Sequence, residues 1–137
     1  MENRVFTAES GNIVYRVSRA KHPDEPWLVF LPGLTADHRL FEKQIEYFEG
    51  KENVLVWDAP SHGESRPFDL DWTLDDLARW LKEILDSEGI TEPILIGQSL
   101  GGYIAQAYMD LYPSTIRGFV SIDSAPLQRQ YYAACET

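Results

Sequence analysis

Pro93-Ile94-Leu95-Ile96-Gly97-Gln98-Ser99-Leu100-Gly101-Gly102-Tyr103-Ile104-Ala105-Gln106-Ala107 is the stretch whose reading decides the fold. Its apolar start, Ile94-Leu95-Ile96, has the length of a buried strand, and Tyr103 to Met109 is a helix-forming run. Between them stands a G-x-S-x-G pattern. A serine raised on a tight strand-to-helix turn needs neighbours without side chains, and Gly97 and Gly101 meet that need while Gly102 lets the helix pack closely. Ser99 is therefore the candidate nucleophile. The first turn of a helix leaves backbone N–H groups unpaired, so the Leu100 N–H is a candidate donor to a developing oxyanion.

Working outward, similar apolar runs recur on both sides. Trp27-Leu28-Val29-Phe30-Leu31 closes on Pro32-Gly33, Asn53-Val54-Leu55-Val56-Trp57 closes on Asp58-Ala59-Pro60, and Gly118 to Ile122 follows the elbow helix. Runs this short, without polar alternation, fit strands buried on both faces of a largely parallel sheet. Val5 to Ala8 and Ile13 to Val17, divided by Ser10-Gly11-Asn12, read instead as an antiparallel hairpin. Helical spacing joins Leu40, Phe41, Ile45 and Phe48 over 38–49, and Leu74, Leu77, Leu81, Ile84 and Leu85 over 73–87. Thr73 with Asp76 three residues later resembles a capping box, Gly89 is placed to end that helix, and Pro113 ends the one that starts at Ser99. Strands alternating with helices specify an α/β class with a mostly parallel sheet and flanking helices, in one domain over 1–137 without repeat or linker.

Composition narrows the partners. Twelve Lys and Arg against 22 Asp and Glu leave a net charge of −10. Such a surface repels phosphate backbones and anionic lipid, which argues against nucleic acid and membrane. The single cysteine, Cys135, cannot form a disulfide within the chain and fits a reducing compartment. No signal-type or spanning apolar segment is present, so the expected location is cytoplasmic. No metal-ligand cluster or phosphate-binding loop stands out in the sequence, and no cofactor is expected.

Two further turns follow buried strands. Leu31-Pro32-Gly33-Leu34 brings backbone close to a site at the strand end, where the Leu34 N–H would be a second oxyanion donor. Asp58-Ala59-Pro60-Ser61-His62-Gly63-Glu64-Ser65 follows the next strand. These two turns and the elbow together resemble the α/β-hydrolase superfamily, whose members carry an oxyanion loop, a D-x-P-G-x-G-x-S-like turn and a serine elbow in this order. Ser61 stands where the family usually has glycine. Tyr112-Pro113 and the strand Arg117 to Ile122 continue the resemblance to Asp123-Ser124-Ala125-Pro126.

The resemblance implies a truncated fold here, with strands 1–6 present and 7–8 lacking. It also implies a Ser-acid-His triad acting on a carboxylic ester or related acyl substrate through a Ser99 acyl-enzyme. The acid and histidine usually follow strands 7 and 8, whereas His22, His38 and His62 all precede Ser99. His22 reads as solvated, His38 as a polar helix-end residue, and His62 as part of a variable turn. Asp123 stands where some members place the acid, and plain strand-end capping is its other role. The expectation is a chain with little or no activity alone, completed by a second copy or by a C-terminal fragment. A non-catalytic binding module, or an acyltransferase or lyase using the same elbow, is the alternative.

Overall fold

The six apolar runs pair into one sheet in a computed structural model that describes residues 1–126. β1 (Glu2–Ala8) and β2 (Gly11–Ser18) form the N-terminal hairpin, with Val5 opposite Val14 and Phe6 opposite Ile13. β3 (Trp27–Leu31), β4 (Asn53–Trp57), β5 (Ile94–Gln98) and β6 (Gly118–Ile122) are mutually parallel. Their order is β1-β2-β4-β3-β5-β6, and β2 joins β4 antiparallel. The domain span 1–137 exceeds the described residues, and Cys135 lies outside them.

Alternation along the parallel strands sends side chains to two unequal layers. Val29, Leu31, Leu55, Trp57 and Leu95 face α2 (Leu74–Ser87) and α3 (Leu100–Leu111), which return Leu77, Leu81, Ile84, Leu85, Ile104 and Tyr108 to the same fully buried cluster. Each such aliphatic side chain contributes about 1.5–3 kcal/mol relative to exposure. Leu28, Phe30, Val54 and Val56 face the other way, onto Phe41 and Ile45. That second layer is thinner. Its helix α1 (Glu42–Phe48) covers the β3–β4 half, while Ile94 and Ile96 are half-buried and Val120 and Ile122 are 46 % and 38 % exposed. Among the described residues β6 pairs with β5 alone.

Local signals behave as their chemistry requires. Thr73 Oγ1 accepts from the Asp76 N–H at 3.1 Å and the Asp76 carboxylate accepts from the Thr73 N–H at 3.0 Å, which completes the capping box. Gly89 takes φ +73° just past the helix, a conformation that glycine adopts without steric cost. One element differs from expectation. The helical pattern over 38–49 is divided into a 3₁₀ turn, His38–Phe41, and α1, because Asp37 caps the Arg39 N–H and the distant Asp58 takes the N–H of His38.

The connections fix where a site can form. From β3 the chain passes through α1 to β4 on one side; from β5 it passes through α3 to β6 on the other. Adjacent strands whose onward connections diverge open a crevice at their carboxyl ends, the usual ligand site of an open α/β sheet. Here those carboxyl ends are Leu31-Pro32-Gly33 and Gln98-Ser99, which lie in close contact.

Candidate active site

The elbow is held by the absence of side chains. A Cβ on Gly97 would overlap the Gly101 carbonyl, one on Gly101 would overlap the Leu31 carbonyl, and one on Gly102 would overlap the Ser124 hydroxyl. The turn can therefore lie directly against β3 and against the segment after β6. Ser99 itself has φ 53° and ψ −116°, a backbone conformation a non-glycine residue adopts at a cost of about 1–3 kcal/mol. Two bonds hold it there: the Ser99 N–H donates to the Ile122 carbonyl at 2.8 Å, and its own carbonyl accepts from the Gly102 N–H at 2.9 Å. The hydroxyl does not cap α3, and among the described residues Oγ has no hydrogen-bond partner.

The loop after β3 meets the elbow face to face. A Cβ on Gly33 would lie 3.0 Å from the Ser99 Cβ and would overlap the Gln98 side-chain oxygen, so glycine is what lets the two turns approach. Leu34, next in the chain, presents its side chain to solvent at 61 % exposure. Among the described residues neither the Leu34 N–H nor the Leu100 N–H donates to a protein acceptor. Gly33 thus brings the loop that carries Leu34 against the turn formed by Gly97, Ser99, Leu100 and Gly101.

The loop after β4 is built by the opposite means, around a buried carboxylate. Asp58 is fully buried. Its Oδ1 accepts from the His38 N–H at 2.8 Å and lies 2.9 Å from His38 Nδ1, and its Oδ2 accepts from the Glu64 N–H at 2.9 Å. Ser65 Oγ donates to the Asp58 carbonyl at 2.5 Å and accepts from the Val14 N–H at 2.8 Å. Gly63 (φ +50°) completes the joint, since a Cβ there would come 2.9 Å from the Asp37 Cβ. Asp58 therefore ties the loop after β3 to the loop after β4, and Ser65 ties that second loop to β2. Sequence reasoning left this role of Asp58 and His38 unassigned, because the pair is twenty positions apart and neither residue breaks a local pattern.

Other candidates stand apart from the nucleophile. His38 and His62 are engaged elsewhere, the latter through Nδ1 with the Pro60 carbonyl at 3.0 Å, and His22 is exposed. Asp123 follows Ile122, whose carbonyl holds Ser99; it is exposed, has φ 52°, and is unpaired among the described residues. Trp57 is fully buried in the core, Trp80 packs edge-on against Phe68, and Trp72 donates to Ser61 Oγ at 3.1 Å. The fold also groups three ligand-type side chains that the sequence did not, Asp37, His38 and Asp58, within 4.8 Å. Their carboxylate oxygens are already taken up by N–H donors. Asp37 grips the Arg39 guanidinium at 2.8–3.1 Å, and that contact holds its carboxyl at about 2, below the ordinary 3.8.

This arrangement matches a known family. The profile of the α/β hydrolase fold covers residues 26–134. The chain belongs to the α/β-hydrolase fold family. Among curated relatives of this α/β-hydrolase chain, 2-succinyl-6-hydroxy-2,4-cyclohexadiene-1-carboxylate synthase of Escherichia coli O8 (strain IAI1) is 39 % identical over 90 residues, covering 64 % of this chain and 35 % of the synthase. Among solved structures, N-acyl homoserine lactonase AidH with N-butanoyl homoserine superposes with TM-score 0.83 at 25 % identity, covering 95 % of this chain and 47 % of the lactonase. An α/β hydrolase from Novosphingobium aromaticivorans DSM 12444 gives 0.82 at 25 % identity, covering 98 % and 48 %. The chain thus spans about a third of the curated relatives' length and about half of these structures' length. No helix among the described residues is long and apolar enough to cross a membrane.

Proposed function

We propose that this chain supplies the nucleophile half of a serine hydrolase that cleaves a carboxylic ester or related acyl substrate. The observation that carries the proposal is the elbow: Ser99 is held in a strained turn with its Oγ uncommitted, and neither the adjoining Leu100 N–H nor the Leu34 N–H of the abutting loop has a protein acceptor among the described residues. In the proposed reaction Ser99 Oγ attacks the acyl carbon and loses its proton to a base. The carbonyl oxygen takes up the negative charge, and the N–H groups of Leu34 and Leu100 receive it. Collapse expels the alcohol, which regains the proton, and water releases the acid from Ser99. The base is a histidine supplied from outside these 137 residues, and Asp123 is the proposed orienting acid. The chain works in the cytoplasm without a cofactor, and a second copy or a C-terminal fragment covers the bare Val120–Ile122 side.

A second reading uses the same elbow for elimination or acyl transfer. The curated relatives favour it, since they are synthases named for a compound bearing succinyl and carboxylate groups, and they match at 38–39 % identity. Trapping distinguishes the readings. Brief exposure of the full-length protein to a 4-nitrophenyl ester, acid quench and peptide mass analysis should place the acyl group on Ser99, and Ser99→Ala should abolish both adduct and turnover. Elimination is supported where the protein leaves the ester untouched but converts a substrate with a leaving group β to an acidic C–H. Transfer to an added alcohol in preference to water supports an acyltransferase, and neither turnover nor adduct supports a binding module.

A further inference from the structure

The loops after β3 and β4 line a cavity of about 380 Å³, with Thr35, Ala36, Asp37 and Arg39 from the first and Ser61, His62, Gly63 and Arg66 from the second. Its polarity runs against that of the molecule. The chain carries a net charge of −10, yet this wall presents two guanidinium groups against one carboxylate. Asp37 is committed to Arg39 through both oxygens, and those two charges cancel. Arg66 is the unbalanced cation. Its side chain is exposed, its Nε donates to the Gly63 carbonyl at 3.0 Å, and among the described residues it makes no ion pair. His62 adds a complementary group. The Pro60 carbonyl can only accept, so Nδ1 donates to it, and Nε2 is the ring nitrogen left for a ligand.

We propose that this cavity is an anion subsite that holds a carboxylate at the far end of the acyl group, received by Arg66. The inference rests on the reading of Ser99 as the nucleophile, and it names the substrate class: acyl groups bearing a second, negatively charged terminus. Connectivity makes it an acyl-chain subsite. Thr35 on the cavity wall directly follows Leu34, the proposed oxyanion donor, and adjacent Cα atoms are about 3.8 Å apart. The cavity wall therefore begins one residue beyond that donor. The planar fork of Arg66 matches a carboxylate, and in a strongly acidic protein such a local cation is needed to admit an anion at all.

Two measurements separate the subsite from the chemistry. In the full-length protein, kcat/KM for mono-4-nitrophenyl succinate is compared with that for uncharged 4-nitrophenyl butyrate. The expected preference for the anionic ester falls about five- to tenfold in Arg66→Gln, as for loss of a partly solvated charge-assisted contact. It recovers in part in Arg66→Lys, and does not move in Arg79→Gln on α2. In parallel, succinate is titrated into Ser99→Ala protein while the His62 ring resonances are followed, which reads binding without turnover. An unchanged preference in Arg66→Gln, with no succinate-induced shift, overturns the subsite and leaves the hydrolase reading standing. Succinate-induced shifts lost in Arg66→Gln, in a protein that cleaves neither ester, uphold the subsite and overturn the hydrolase reading. Inorganic phosphate binding more tightly than succinate overturns the assignment to a carboxylate.

Discussion

Two turns at the same end of the sheet are secured by opposite means. The elbow after β5 is shaped by what is missing: Gly97 and Gly101 let backbone touch backbone, Gly102 admits the Ser124 side chain, and a strained serine is left with its hydroxyl unused. The turn after β4 is shaped by what is buried: one carboxylate gathers N–H donors from His38 and Glu64 and so ties two loops together. The difference teaches where substitution is tolerated. Close packing of backbone admits no added atom, whereas a hydrogen-bonded joint fails in proportion to the partners it loses.

The sharpest way to break the comparison is Gly101→Val. Its side chain would occupy the place of the Leu31 carbonyl, so a loss above about 4 kcal/mol, or failure to accumulate folded protein, is expected in denaturant titration. A loss below about 1 kcal/mol would mean that the elbow is not locked against β3. Asp58→Ala comes next, with a cost of about 3 kcal/mol, because the buried donors of His38 and Glu64 lose their acceptor. Its further signature is faster amide exchange at both His38 and Glu64. Ser99→Gly should have the opposite sign and raise stability by about 1 kcal/mol, since glycine relieves the strain at φ 53° while the reaction is lost. A decrease in stability would remove strain from the account.

The smallest effect concerns acid. Arg39 holds the Asp37 carboxyl at about 2 in the folded chain, below its ordinary 3.8. A carboxyl lowered in this way adds stability above the unfolded value, and the contribution is lost as pH falls from about 3.8 toward 2. A carboxyl-carbon NMR titration should place the Asp37 midpoint near 2, moving up toward 3.8 in Arg39→Gln. The change in folding stability should be slight, because the Arg39 side chain is 76 % exposed.

How legible the molecule was follows the same division. β3, β4, β5 and β6 lie where the apolar runs stood, and the capping box and Gly89 bound α2, because these signals are local. The elbow was legible too, since glycine spacing writes a close backbone approach directly into sequence. The joint at Asp58 was not. His38, Asp58 and Glu64 become partners only once β3 and β4 lie side by side, and the same tertiary pull divides the helix expected over 38–49. The cavity at Arg66 was hidden for that reason as well, because its walls come from two loops about thirty residues apart.

Covalent labelling of Ser99 tests the central claim most directly. The full-length protein is treated with a fluorophosphonate, digested, and its peptides sequenced by mass spectrometry. The account predicts a single adduct on Ser99 within Ile94 to Tyr103, absent from Ser99→Ala and slowed when the ester substrate competes. A folded protein that takes up no label, or that takes it up at another residue while Ser99 stays free, would contradict it.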